Sequence, residues 1–450
     1  MHRSSKLGFV IELVYGSYKQ AAKQLRGLDA ATRDISLSRD LFEMLDIHWE
    51  RWPRVTVTGS KGKGSISALL ASILQMSGER VGWITSPEMR DFNERIRING
   101  CCVSDEELEM AAREISSSVL AIASQVTPPQ YIGPGGIILA LAATIFAKSN
   151  ISVLVVEAGR GGEYDEARLI EAPVSVLTRI MLEHPDKLGA TVQEIARTKA
   201  YITAPGSPIV TTPQSESVQA VIYDVAEKLH STVRSVRSDI FVERAMYDPN
   251  GTICDIRSEG GVYKSLHVSL AGRHQAENAA TAILAAQTLT TYGVKCTVDG
   301  IYAGVHQVRW PGRAQLLQQQ PWVFVDCATN RVGALQVCDL IVRHFSSKRI
   351  YAIIGVPKPK DLDGVCSEVA RIADRIVLTE VSSPTFTWYG DAVGIASQYH
   401  ADVQFISSEA EAFGSVLSQA QPDDGILLLG TQIFVGSALE FWDVDTCSIW

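Results

Sequence analysis

The residues Val55–Ser65, VTVTGSKGKGS, set an alternating apolar–polar run against a stretch with three glycines and two lysines, and a helix-like run over 66–75 follows. A strand, a glycine-rich loop and a helix in that order make an anion site. Main-chain N–H groups converge at the helix start, the helix dipole adds favourable potential, and glycine lets the backbone approach closely. On this reading Gly59, Gly62 and Gly64 are the permissive positions, with Ser60 and Lys61 completing the loop. Lys63 neutralises phosphate oxygens and Ser65 ligates magnesium. The motif, GxxGKGS, is shorter than GxxxxGK[ST]; by itself it also fits a glycine-rich turn with solvated lysines.

Further charged residues end other apolar runs. The run Val153–Val156 ends in Glu157-Ala158-Gly159-Arg160-Gly161-Gly162. A carboxylate at the carboxyl end of a buried strand faces the crevice where such sheets bind ligands. Burying Glu157 alone would cost several kcal/mol, which a magnesium ion would offset; a glutamate capping the following turn is the equal alternative. Arg313, in Arg309-Trp310-Pro311-Gly312-Arg313, has the planar guanidinium that suits phosphate or stacking. Asp326 ends another apolar run. No activated serine or cysteine and no hydride-transfer site is evident. These are parts for moving a γ-phosphoryl group.

The elements that must position them alternate between short apolar strands and helices. Strands are expected at Val55–Thr58, Val81–Thr85, Val153–Ala158, Val174–Thr178 and Ile209–Thr212, then at Trp322–Asp326, Ile350–Gly355, Arg375–Glu380, Val403–Ile406 and Gly425–Leu429. Helices are expected at Gly64–Met76, Ile137–Ala147, Val192–Ala200 and Ala276–Thr291. Nearly continuous apolar strands are those buried on both faces by helices, so the fold class is α/β with mostly parallel sheets. The two strand sets imply two sheets. Between them, roughly Val233–Leu270 alternates more weakly and is rich in Gly and Asp turns. The domain boundary is placed just before Arg309, giving an ATP-binding domain over 1–308 and a smaller Rossmann-like α/β domain over 309–450.

At 450 residues the chain has room for two or three domains. Its net charge of -9 excludes a large basic surface, so nucleic acid is not an expected partner. No apolar stretch reaches membrane-spanning length and no secretory h-region is present. The eight cysteines are scattered, only Cys101 and Cys102 are close, and no CxxC pair occurs. Free thiols in a reducing cytoplasm are therefore expected.

The loop TGSKGKGS, followed by TSPEMRDFNERIRING (Thr85–Gly100), resembles the folylpolyglutamate/dihydrofolate synthase branch of the Mur ligase superfamily. The resemblance runs from about residue 10 to 440. It implies an N-terminal P-loop, parallel-sheet ATPase domain, a smaller C-terminal α/β domain, and ATP with a pair of magnesium ions. By this resemblance Ser86 lies near a second metal, Glu157 is a magnesium ligand and His184, in Glu183-His184, ligates the second metal. Lys199, in Glu194-Ile195-Ala196-Arg197-Thr198-Lys199-Ala200, would be carbamylated. Asn278, in the segment Leu270–Ala282, would meet the nucleotide base, and Asp326 would match the aspartate of DGAHN. The implied reaction joins a small carboxylic acid to an amine or amino acid through an acyl phosphate.

Departures from the family pattern cluster away from the ATP residues. Glu88 replaces the His of SPH, and Glu166-Ala167-Arg168 stands where the family has ATN after Asp165. DGAHNP becomes Asp326-Cys327-Ala328-Thr329-Asn330-Arg331, so a site His is now Thr329. Thr385 follows Ser383-Pro384, where the family often has Arg. The expectation is a retained ligase reaction whose substrates differ from folate and glutamate. The alternatives are a genuine folate enzyme, a P-loop ATPase without an acceptor, and a non-catalytic nucleotide-binding partner protein.

Overall fold

The computed structural model describes residues 7–381 and 386–450; Ser383, Pro384 and Thr385 lie outside the described residues. The first sheet contains β1 (Arg54–Thr58), β2 (Val81–Ile84), β3 (Ile96–Ile98), β4 (Cys101–Cys102), β5 (Val153–Glu157), β6 (Val174–Leu177), β7 (Ile209–Thr211) and β8 (Val233–Ser235). They lie in the order β4-β3-β2-β5-β1-β6-β7-β8. Strand β1 pairs in parallel with β5 on one side and β6 on the other. Its carboxyl end therefore sits at a switch point between two crossovers, where an open α/β sheet leaves a crevice. The antiparallel β3 and β4 were not anticipated; they come from the sequence between Phe92 and Cys102 and extend the edge beyond β2.

Helices cover both faces. Lys63–Met76, His274–Leu289 and Val298–Gln307 pack on one, in a core with Val55, Val57, Trp83 and Val155. Gly8–Ala21, Ser36–Met44, Asp105–Ala123 and Pro134–Lys148 pack on the other, around Leu154 and Val156. Alternate residues of β5 thus feed two cores, and each buried Leu or Val contributes about 1.5–3 kcal/mol. Pro134–Lys148 is apolar nearly all round because sheet and helix enclose it. Asp105–Ala123 has one apolar stripe and starts at a capping box, with Ser104 accepting from the Glu107 N–H.

The weakly alternating region resolves into β8 and a separate antiparallel sheet of β9 (Ile240–Asp248), β10 (Gly251–Ser258) and β11 (Gly261–Val268). Its apolar face, with Cys254, Ile256, Tyr263 and Leu266, packs into the same core as His274–Leu289. The other strands are β12 (Gln315–Gln319), β13 (Trp322–Asp326), β14 (Ile350–Gly355), β15 (Arg375–Leu378), β16 (Val403–Phe405) and β17 (Gly425–Gly430), ordered β12-β13-β17-β14-β15-β16. All its pairings are parallel except β12 with β13. Strand β12, QLLQQ, carries too little apolar pattern to announce itself; it is an edge strand held by one neighbour.

After the helix Gln432–Phe441 the chain crosses back to the first sheet. Ile449 is fully buried in that sheet's core, Trp450 stacks on Trp83 with ring centroids 5.8 Å apart, and the Arg309 N–H donates to the Ile449 carbonyl at 2.7 Å. Segment 444–450 thus ties the second sheet to the first. Among the described residues no helix is long and apolar enough to cross a membrane.

Candidate active site

The loop after β1 is fastened from behind. The N–H groups of Ser60 and Lys61 both donate to the Arg179 carbonyl, at 3.0 and 3.1 Å, and the Ser60 hydroxyl donates to the Met181 carbonyl at 3.2 Å. Those two N–H groups are therefore committed to the exit of β6. The donors left over are the N–H groups at the start of helix Lys63–Met76, which have no partner within the helix. Gly62 caps that helix at φ +91°, a left-handed conformation that turns successive N–H groups into one concavity. A methyl group on Gly62 would also come within 3.1 Å of Asn278 Oδ1, and one on Gly64 within 2.8 Å of the Trp310 ring. Gly64 is thus small to admit Trp310, and Asn278, whose Nδ2 donates to Gln275 Oε1 at 2.9 Å, lies against the loop.

Lys63 Nζ donates to the Gly59 carbonyl at 2.9 Å. Glu157, 7% exposed at the end of β5, accepts from Thr85 Oγ1 at 2.9 Å and from the Ser86 N–H at 3.4 Å. Burial pushes its carboxyl up from the ordinary range, and the charge of Lys63 is the largest opposing influence. Ser65 is buried in the first turn of the same helix. Among the described residues no group of three His, Cys, Asp or Glu side chains could hold a metal. The donor set suits a hard cation that takes one carboxylate and one hydroxyl and completes its shell with phosphate and water oxygens, as magnesium does.

Lys199 is fully buried. Its Nζ donates to the carbonyls of Gly59 at 3.0 Å and Arg160 at 2.8 Å and faces Glu183 Oε1 at 3.0 Å. Desolvation, followed by the charge of Lys63, pulls the amine down to about 8. Three oxygen acceptors fit an ammonium. His184 sits at φ +45° before the short helix Pro185–Leu188. Desolvation holds its imidazole below the ordinary range, against the pull of Glu183 and aided by the charges of Arg160 and Lys360, so it is neutral near pH 7.

The second sheet supplies the opposite wall. Asp326, at the end of β13, accepts from the Ala314 N–H at 2.8 Å; desolvation raises its carboxyl, and Arg313 is the main opposing charge. Arg313 in turn is raised, despite desolvation, by Cys327, Asp326 and Glu157. Lys61 reaches the same space: loss of water there, with Arg313 and Lys360, pushes its amine down. The structure therefore brings the loop, Glu157, Lys199, His184, Arg313 and Asp326 around one cleft between the two sheets.

Two cleft residues escaped the sequence reading. Lys360 lies in the loop beyond the carboxyl end of β14, whereas Glu157 is the last residue of β5, and that place after a strand was the available signal. Arg160 lies three residues beyond Glu157. Its Nε and Nη2 pair with both carboxylate oxygens of buried Asp29, at 3.0 and 2.5 Å, while its backbone carbonyl receives Lys199. That pairing joins residues more than a hundred positions apart, which no local pattern reveals. The departures are also placed. Glu88 forms an ion pair with Arg95 at 2.5 Å, Glu166 is buried against Arg33, and the Thr329 carbonyl accepts from the Asp361 N–H at 3.2 Å.

A cleft between two α/β sheets, with a phosphate-type loop on one wall and an arginine–aspartate pair on the other, defines a Mur-type ligase. The chain is an ATP-dependent carbon–nitrogen ligase of that class, and matches to the Mur ligase middle domain over residues 135–286 and the Mur ligase glutamate ligase domain over 312–432 agree. It belongs to the folylpolyglutamate/dihydrofolate synthase family. It is 31% identical to the dihydrofolate synthase/folylpolyglutamate synthase of Mycobacterium tuberculosis over 78% of this chain and 75% of that one. It is 33% identical to the Bacillus subtilis protein of the same name, over 73% and 76%. The solved folylpolyglutamate synthase of M. tuberculosis complexed with ADP superposes with a TM-score of 0.85 at 25% identity, covering 97% of this chain and 99% of that one.

Proposed function

We propose that the protein joins an organic acid to an amino acid, glutamate in the first instance, at the cleft described above. The observation that carries this is the convergence of Lys63 and Glu157 from the first sheet with Arg313 and Asp326 from the second. On this reading the N–H groups at the start of helix Lys63–Met76 and Lys63 hold the phosphates of ATP, with Asn278, Asp326 and the rest of the loop 59–65 around the nucleotide. Ser65 and Glu157 would hold one magnesium ion, and Ser86 and His184 would stand beside a second; bound there, the ions would neutralise phosphate charge. The acid's carboxylate oxygen attacks the γ-phosphorus, the bond to the β-γ bridging oxygen breaks, and ADP leaves. The neutral amine then attacks the acyl phosphate carbon, phosphate departs, and an amide with one released proton remains. Arg313 and Lys61 hold negative charge in place during both steps, and the fixed loop spares reorganisation. A cytoplasmic setting, with the cysteines as thiols at rest, suits such small-molecule work.

The acid differs from folates on this reading, because Glu88, Glu166 and Thr329 occupy positions where the family pattern has other chemistry, and two of them are tied into ion pairs. Identity above 30% to named folate enzymes favours a second reading, a genuine dihydrofolate or folylpolyglutamate synthase. Incorporation of radiolabelled glutamate onto dihydropteroate and onto tetrahydrofolate separates them. Slow or absent turnover with both, alongside ADP release stimulated by other acids, is expected. Efficient turnover with either establishes the folate reading.

Lys199 is, on the same proposal, a carbamylation site. Carbon dioxide adds to a neutral amine with loss of a proton, and an amine held near 8 supplies that form where an ordinary lysine does not. Uptake should rise as the pH passes through about 8, below which the ammonium dominates. With 13C-bicarbonate, a carbamate resonance is expected in the protein and absent from Lys199→Arg. Its absence in the unmodified protein would leave Lys199 acting as the ammonium its three acceptors fit.

A further inference from the structure

Cys102, which ends β4, and Cys447, in the returning segment, lie across from each other. Cys101 bridges antiparallel to Ser448, and this register sets Cys102 opposite Cys447, whose carbonyl accepts the Cys102 N–H at 3.0 Å. Directly opposed residues on adjacent antiparallel strands have the Cα separation a disulfide spans. Successive side chains on β4 alternate faces, so Cys101 points away from this pair. Cys447 is exposed and Cys102 partly buried. Each thiol is the largest influence on the other: Cys102 is pushed up and Cys447 down. The buried Arg97 guanidinium donates to the Cys447 carbonyl at 2.6 Å and to the Thr446 carbonyl at 2.7 Å, which fixes a positive charge beside the pair.

We propose that Cys102 and Cys447 are a modification site, oxidised by a low-molecular-weight disulfide to an intrachain bond that staples segment 444–450 to the first sheet. The exposed Cys447 thiolate attacks one sulfur of, for example, oxidised glutathione; that S–S bond breaks, and one glutathione leaves as thiolate and takes up a proton. Cys102 loses its proton to solvent, attacks Cys447 Sγ and expels the second glutathione. Two protein thiols are oxidised and one disulfide is reduced to two thiols. The staple acts where the two halves of the molecule meet. Thr446 Oγ1 donates to Glu94 Oε1 at 2.6 Å, and Glu94 itself accepts the N–H groups of Met89, Arg90 and Asp91 at 2.7, 3.1 and 3.1 Å. The bond would therefore fix the second sheet against the segment Thr85–Gly100 that borders the cleft.

The test incubates the reduced full chain with oxidised glutathione, alkylates it and maps the peptides. Loss of two of the eight thiols is expected, with a Cys102–Cys447 link, no retained glutathione, and a Tm raised by about 2 °C or more that reductant reverses. Cys101→Ser should behave identically, Cys447→Ser should lose the link, and Cys102→Ser should keep one glutathione on Cys447. Eight alkylated thiols, a link through Cys101, a link between chains or a stable glutathione adduct on the unmodified protein would each overturn the site. A formed link with unchanged Tm would overturn the stapling.

Discussion

Lys63→Met is expected to lower ATP-dependent amide formation by about 10³-fold while leaving the folded state intact. The lysine donates to the Gly59 carbonyl at 2.9 Å and its charge offsets part of the cost of burying Glu157, so the variant is expected to be folded but somewhat less stable. What is lost is a preorganised positive charge beside the donors at the helix start. Removing a single donor aimed at developing charge in a water-poor site costs about 10²–10³ in rate, and phosphoryl transfer relies on such groups almost entirely. The substitution reaches further. The Lys63 charge is the main influence opposing the rise of the Glu157 carboxyl, and it also pulls the Lys199 amine down. In the variant Glu157 should titrate higher and Lys199 should hold its proton to higher pH, moving carbamate uptake upward with it. ADP release in the presence of acid and amine, with calorimetric ATP binding, measures the first effect; the pH dependence of the 13C signal measures the second. Activity within tenfold of the unmodified protein would remove Lys63 from the phosphate site.

Glu157→Gln should lower turnover by about 10²-fold and raise the magnesium concentration needed for half-maximal activity by tenfold or more. The amide keeps the shape and can still accept from Thr85 Oγ1, so packing is conserved. The charge is what changes. A carboxylate buried to 7% exposure raises the free energy of the protein unless a cation faces it. Lys63 and Arg313 provide part of that compensation. Magnesium, a hard cation that binds through one or two carboxylates plus phosphate oxygens, would provide the rest. The neutral variant is therefore expected to be at least as stable to urea as the parent and to bind nucleotide without metal equally well. An unchanged magnesium midpoint would assign Glu157 a structural role, holding the Thr85–Ser86 turn.

Local pattern carried the reading a long way. The loop 59–65, the strand ending in Glu157 and the helices Lys63–Met76 and Val192–Ala200 are contiguous, so their periodicity, glycines and end charges were visible in the chain. Strands buried on both faces read as apolar runs, which made two parallel sheets legible. Where a strand is very short or polar the signal faded: β3 and β4 span three and two residues, and β12 is an edge strand rich in glutamine. The same loop shows a finer limit. Its composition placed Ser60 and Lys61 in the loop but did not reveal the tie of their N–H groups to the carbonyl of Arg179, a residue more than a hundred positions away.

What the amino-acid order determined by itself was the set of chemical parts: a phosphate-type loop, strand-end carboxylates, and the spacing that resembles one ligase family. Tertiary structure alone decided which parts meet. The order β2-β5-β1-β6 brings Glu157, Thr85 and Lys63 together, the second sheet sets Arg313, Asp326 and Lys360 opposite them, and the returning segment lays Cys447 against Cys102. The reason is physical. Helix and strand signals arise from hydrogen bonds and side-chain periodicity within a few residues, whereas a charge's proton affinity depends on desolvation and on neighbours supplied by remote strands. Only folding fixes that environment.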